Sequence, residues 1–161
     1  MSFYRFQLFF GLGALALLVP LARSQTQIPL SSRAQPKGTP VAETKLLMEG
    51  IAHANFKGLE KMLKAKPEDA EAWAFARGQS LLIAETGNLL LLRPPNNLGQ
   101  ESWTKSSVEL RETATRLAQA LATRDLNNSR ARLVEVANAC NRCHQNFRVT
   151  TRLAPFREEG K

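Results

Sequence analysis

Nowhere in this 161-residue chain do apolar and polar residues alternate over the length of a strand, so a sheet has nothing to build on. Sulfur and imidazole are scarce: the chain has two cysteines and two histidines. No internal repeat organises it, and long apolar runs are confined to Phe6–Val19. Acidic residues are the minority charge, 14 against 22 basic ones, which leaves a formal charge of +8. The basic residues are interspersed with acidic ones and form no block, which speaks against nucleic acid as a partner.

What is present begins with a leader. Residues 1–24, MSFYRFQLFFGLGALALLVPLARS, carry Arg5, the apolar run, and Ala22-Arg23-Ser24, with small residues at the −3 and −1 positions of a cleavage before Gln25. That is the layout of a secretory signal peptide. The stretch Phe6–Ala22 is at the short end of the roughly 20 residues a spanning helix needs. Cleavage is therefore expected over an uncleaved anchor, leaving a periplasmic protein with no stable membrane insertion. Residues 25–40, rich in Gln, Ser, Thr and Pro, bury too little apolar surface to offset their ordering entropy and read as a flexible linker. The folded domain is expected over 41–154, long enough for a single core, with 155–161 as a C-terminal tail. Losing Arg5 and Arg23 with the leader still leaves a basic surplus, which favours encounter with acidic partner surfaces.

Four segments of the domain carry a 3.6-residue pattern. The first runs from about Val41 to Ala65, with Met48, Ile51, Ala52, Phe56, Leu59, Met62 and Leu63 on its stripe. Pro67 closes it and opens the second as a first-turn proline. The second stripe is Trp73, Ala76, Ser80, Ile83 and Ala84, widened by Leu81 and Leu82; Gly78 and Gly87 weaken this helix by up to about 1 kcal/mol each. RPPNNLGQ, from Arg93 to Gln100, is a break. The third helix spans Ser102 to about Thr123, capped by Ser102 or Gln100, with Trp103, Leu110, Ala114, Leu117 and Leu121 inward. Asn128 caps a fourth from Ser129 to about Val149, whose apolar positions are Leu133, Val136, Ala137, Cys140, Cys143, His144 and Phe147. Short connections between helices of this length make antiparallel neighbours, so the expected fold is all-α, an up-down-up-down four-helix bundle.

The fourth segment holds all the cysteine, in NACNRCHQNF. A dithiol redox motif wants a βαβ setting and a helix N-terminus, and this pair lies well inside a helix in a chain without strands. A zinc site would take Cys140, Cys143 and His144 and need a fourth ligand, for which only His53 remains as a nitrogen donor. Adjacent Cys143 and His144 also point about 100° apart on a helix. C-x-x-C-H is instead the pattern of c-type haem attachment. Cysteines at i and i+3 share a face from which both can form thioethers to one porphyrin edge, and His144 can reach the iron. Attachment takes place outside the cytosol, which agrees with the leader.

A bundle whose last helix carries C-N-R-C-H-Q-N-F-R resembles the class II cytochromes c, the cytochrome c′ family. The resemblance covers about residues 41–150 and is specific at the motif and the Phe147-Arg148 pair behind it. It implies one covalently bound haem c, held at Cys140 and Cys143, with His144 as the proximal ligand; Phe147 would then pack beside the ring, and Arg148 either pairs with a propionate through its planar fork or is solvated surface. In that family the first helix crosses the other haem face. TKLLMEG is similar to the ligand-bearing stretch of the methionine-ligated, low-spin members, and Met48 falls at the deciding position. The departure lies four residues upstream, where many members have arginine and this chain has Thr44. Met48 also belongs to an apolar stripe, where methionines are mostly core filler. His53 is the rival ligand; on a regular helix it lies about 140° around from Met48 and reads as a surface or edge histidine.

A thioether opposite histidine gives a low-spin iron of raised potential, suited to electron transfer. The leading expectation is therefore an exported monohaem electron carrier that is not an enzyme and docks with redox partner proteins of acidic surface. The alternative is a five-coordinate haem protein that binds nitric oxide or carbon monoxide. Members of the family often pair, and the surface stripes leave open whether this chain is a homodimer.

Overall fold

The computed structural model describes residues 38–96 and 99–157. The signal peptide and most of the linker expected from the sequence lie outside the described residues, as do residues 158–161. Among the described residues there is no strand, and no helix is long and apolar enough to cross a membrane. The described residues form four helical columns. The first is built from α1 (Thr44–Leu47), a π-helical turn (Met48–His53) and α2 (Ala54–Ala65); α3 (Ala70–Leu91), α4 (Gln100–Ala122) and α5 (Leu126–Asn146) follow. Contacts run α2–α3, α3–α4, α4–α5 and back from α5 to α2, which closes an antiparallel four-helix bundle.

The first column departs from the regular helix its periodicity predicts. Its buried apolar residues are Leu47, Ala52, Phe56, Leu59 and Leu63. The step from Leu47 to Ala52 is five residues, and the later steps are four, three and four. A strict α-helix cannot keep both Leu47 and Ala52 inward, and one wider turn with i to i+5 bonding lets it. Leu47, left off the predicted stripe, is therefore core. The Asn55 side chain donates to the Ile51 carbonyl at 2.8 Å, serving an acceptor at the end of the wide turn.

Helix ends are set by aspartates and by backbone geometry. Asp69 caps α3, accepting from the Ala72 amide at 2.7 Å, so α3 begins at Ala70 and Pro67 is a buried link residue instead of the first helical one. Asp125 caps α5 through the Asn128 amide at 3.0 Å; the predicted cap, Asn128, is the donor. Helix α4 opens on Gly99 at φ 105°, a left-handed conformation that excludes most side chains, and has no side-chain cap. Helix α5 stops three residues before the predicted Val149. Arg148 adopts φ 56°, and the Val149 amide bonds back to the His144 carbonyl at 2.8 Å while the Arg148 amide reaches the Gln145 carbonyl at 3.3 Å. This is a Schellman stop, and it turns the chain back on itself beneath His144.

The core is one cluster. Leu59, Leu63, Leu117, Leu121 and Leu133 are completely buried, and burial of each stabilises the fold by about 1.5–3 kcal/mol. Helices α3 and α4 approach closely at Gly87, where an added Cβ would lie 2.7 Å from the Ser107 carbonyl oxygen. A buried Ser80 hydroxyl donates to the Ala114 carbonyl at 2.8 Å across the same pair. Leu81 and Leu82, predicted to widen the buried stripe of α3, are exposed, because α3 packs through the narrower face of Trp73, Ala76, Ser80 and Ile83. Beyond Ala154, Pro155 and Phe156 are half-buried, and Phe156 packs on the core instead of trailing as part of a tail.

Candidate functional site

The wide turn of the first column, the C-terminal end of α5 and the reversed segment after it enclose an apolar cavity of about 640 Å³. Met48, Ala52 and Phe56 face it from the first column; Ile83 and Leu90 from α3; Trp103 from α4. Cys140, Cys143, His144 and Phe147 face it from α5, and Val149, Thr150, Thr151 and Leu153 close the side beyond. Met48 and the two cysteines, far apart in the chain, thus share one space. The π turn also changes the standing of His53. In i to i+5 register it follows Met48 along one face, and it is exposed at the cavity mouth beside Thr44, Lys45 and Glu49. Arg148 is exposed at the left-handed end of α5 and does not line the cavity.

His144 occupies the last turn of α5, half-buried, with Nδ1 2.8 Å from the Thr151 carbonyl oxygen. A carbonyl only accepts, so Nδ1 carries the proton and Nε2 keeps its lone pair. Arg152 donates to the same carbonyl at 3.0 Å. The aromatic wall is rigid: Trp103 and Phe147 meet edge to face with centroids 5.2 Å apart, and the Trp103 indole N–H donates to the Leu90 carbonyl at 2.8 Å. An added Cβ on Gly99 would come within 3.4 Å of the Phe147 ring, so the start of α4 is moulded to that wall.

Both cysteines are free thiols. Burial pushes the Cys140 thiol up to about 12, with the neighbouring Cys143 adding to the rise. Burial likewise raises the Cys143 thiol, against a hydrogen bond from Ser106. Nucleophilic disulfide exchange runs through the thiolate, so this environment opposes a dithiol redox role at neutral pH. Among the described residues no three His, Cys, Asp or Glu side chains are grouped to hold a metal ion. A shallow depression of about 530 Å³ on α2, between Lys57, Glu60, Lys61, Lys64 and Ala65, contains no cysteine or histidine and is charged surface.

The donor set fits a haem. The cavity lies within the roughly 300–1,000 Å³ of pockets that enclose a cofactor, its walls are mostly aliphatic and aromatic, and Cys140, Cys143, His144 and Met48 line it together. Sequence reasoning assigned Trp103 to packing alone and had no role for Asn141, Thr151 or Leu153. Trp103 could have been found as an aromatic just after the RPPNN break; the other three carry no local signal.

Comparison with known families gives one match. The family described as Cytochrome C' matches residues 99–148, which span α4, α5 and the whole C-x-x-C-H stretch. No curated protein and no solved structure matches the chain. Over those two helices, cavity wall and motif included, the chain is similar to the cytochrome c′ family.

Proposed function

We propose that the chain is a c-type cytochrome of the cytochrome c′ kind that carries single electrons outside the cytosol. The observation that carries this reading is the convergence on one apolar cavity of Cys140, Cys143, His144 and Met48. Cys140 and Cys143 would hold one haem c through thioethers, His144 Nε2 would be the proximal iron ligand, and Met48 the distal one. When bound, the haem supplies the one-electron chemistry.

The chain's own residues supply the rest. Thr151 fixes the His144 tautomer, and Trp103, Phe147, Ile83 and Leu90 keep water off the site. A methionine–histidine pair holds iron low-spin in both oxidation states, so no ligand has to move when an electron passes. No substrate bond is made or broken. Lys45 at the mouth, with the exposed Arg148 and Arg152 on the adjoining segment, favours redox partners of acidic surface and speeds their docking. The low-spin assignment rests on Met48. Ferric spectra of the wild type should show low-spin bands and the weak red charge-transfer band of sulfur ligation, and Met48→Ala should lose both. A wild type already high-spin refutes the distal methionine.

A second reading has its own observation: Met48 packs against the core cluster as well as facing the cavity. If that packing is its whole role, the iron is five-coordinate and binds nitric oxide or carbon monoxide. Wild-type and Met48→Ala spectra would then coincide, both high-spin.

A further inference from the structure

In the motif C-N-R-C-H the first intervening residue, Asn141, makes a two-point contact with the reversed segment: its amide nitrogen donates to the Leu153 carbonyl at 2.8 Å, and its amide oxygen accepts from the Leu153 amide at 2.9 Å. Leu153 lies two residues beyond Thr151, whose carbonyl receives His144 Nδ1–H. A second anchor follows, where the Phe156 amide donates to Glu60 Oε1 at 3.0 Å. The segment is thus pinned on either side of the carbonyl, by the Schellman turn at Val149 before it and by the Asn141 latch after it.

Resting on the haem reading above, we infer that Asn141 is a positioning residue for the proximal ligand: it holds the Thr151 carbonyl against His144 Nδ1–H and so sets the basicity of the imidazole. The physical link is short. A hydrogen bond from the distant ring nitrogen of a metal-bound imidazole to a carbonyl makes the ring a stronger donor, which favours the ferric state. Without the latch the segment keeps its turn, its far anchor and the Arg152 bonds to the Val149 and Thr151 carbonyls, but it loses both bonds that tie it to α5 just beyond Thr151. The N–H then turns to water, the imidazole donates less, and reduction becomes easier.

The test uses the full-length holoprotein and two variants, Asn141→Ala and Asn141→Asp. Asn141→Ala removes both bonds; Asn141→Asp keeps the acceptor for the Leu153 amide and sets an oxygen against the Leu153 carbonyl. Haem attachment is read first, helicity second, then the ferric–ferrous equilibrium against a fixed mediator and the exchange rate of the His144 Nδ1 proton. For Asn141→Ala the reduction equilibrium is expected to shift toward the ferrous form on the order of tenfold, the low end of the effect that losing an outer-shell partner has on metal affinity or activity. The Nδ1 proton should exchange faster in both variants, while in Asn141→Asp the added carboxylate favours the ferric form and offsets the shift in the equilibrium. A folded, haem-loaded pair of variants with wild-type equilibrium and proton exchange overturns the inference while leaving the functional reading intact. Loss of folding in both overturns it too, since the latch is then purely structural. A wild type without haem removes both.

Discussion

Replacing Gly87 by alanine puts the close backbone approach of α3 and α4 to the test. The added Cβ would sit 2.7 Å from the Ser107 carbonyl oxygen, 2.9 Å from the Arg111 amide nitrogen and 3.0 Å from the Arg111 Cβ. Two of those three atoms are α4 backbone, which has no rotamer to yield, so α3 and α4 must separate. Overpacking of this kind costs about 1–3 kcal/mol, against a helix-propensity gain of up to about 1 kcal/mol. The expected net loss is about 1–2 kcal/mol. The neighbouring Trp103–Leu90 and Arg111–Asn88 bonds, at 2.8 and 3.2 Å, span the same joint and should strain with it. Gly78 on the same helix is the control, because an added Cβ there meets nothing within 4 Å. Gly78→Ala should stabilise by about 0.5–1 kcal/mol. Denaturant unfolding of the two variants beside the wild type reads the difference as midpoints moving in opposite directions. A Gly87→Ala variant as stable as the wild type would refute the close approach.

Other substitutions probe other joints. Burial alone would push the Glu60 carboxyl up, yet hydrogen bonds from Lys64, the Phe156 amide and Lys57 together hold it below the usual range. Its folded pKa is lowered, so its stabilisation is present above the ordinary glutamate pKa and fades as pH falls through the lowered one. Glu60→Gln should cost about 1 kcal/mol at neutral pH and converge with the wild type in acid, as followed by thermal melts across pH. Arg148→Gly relieves a left-handed arginine and should stabilise by about 1 kcal/mol; an unchanged optical spectrum would assign Arg148 to the helix stop alone. Asp125→Ala removes the α5 cap and should cost about 1 kcal/mol in the same melts.

The parts of this fold legible in sequence were those with a periodic or motif signal. Stripes such as Trp73–Ala76–Ser80–Ile83 and the RPPNN break marked the helical columns, and C-x-x-C-H marked the site. The π turn escaped because a 3.6-residue template has no place for a five-residue step; the stride from Leu47 to Ala52 was its only trace. That single turn also moved His53 from the side of a helix to the cavity mouth. The starts of α3 and α5 each lie three residues from expectation, at Ala70 instead of Pro67 and at Leu126 instead of Ser129, because several residues able to open a helix crowd each start, and only geometry chooses among them. Leu81 and Leu82 misled because hydrophobicity does not say which side of a helix its neighbours occupy. The Asn141 latch joins residues twelve apart through side-chain and backbone atoms, which no local pattern encodes.

The proposed covalent attachment of haem at the two cysteines underlies the rest, and the mass of the denatured mature polypeptide tests it directly. Secreted from cells equipped for haem attachment, the chain should weigh one haem more than its sequence, and the Cys140→Ala/Cys143→Ala variant should carry no addition. A wild-type polypeptide of unmodified mass would contradict the assignment.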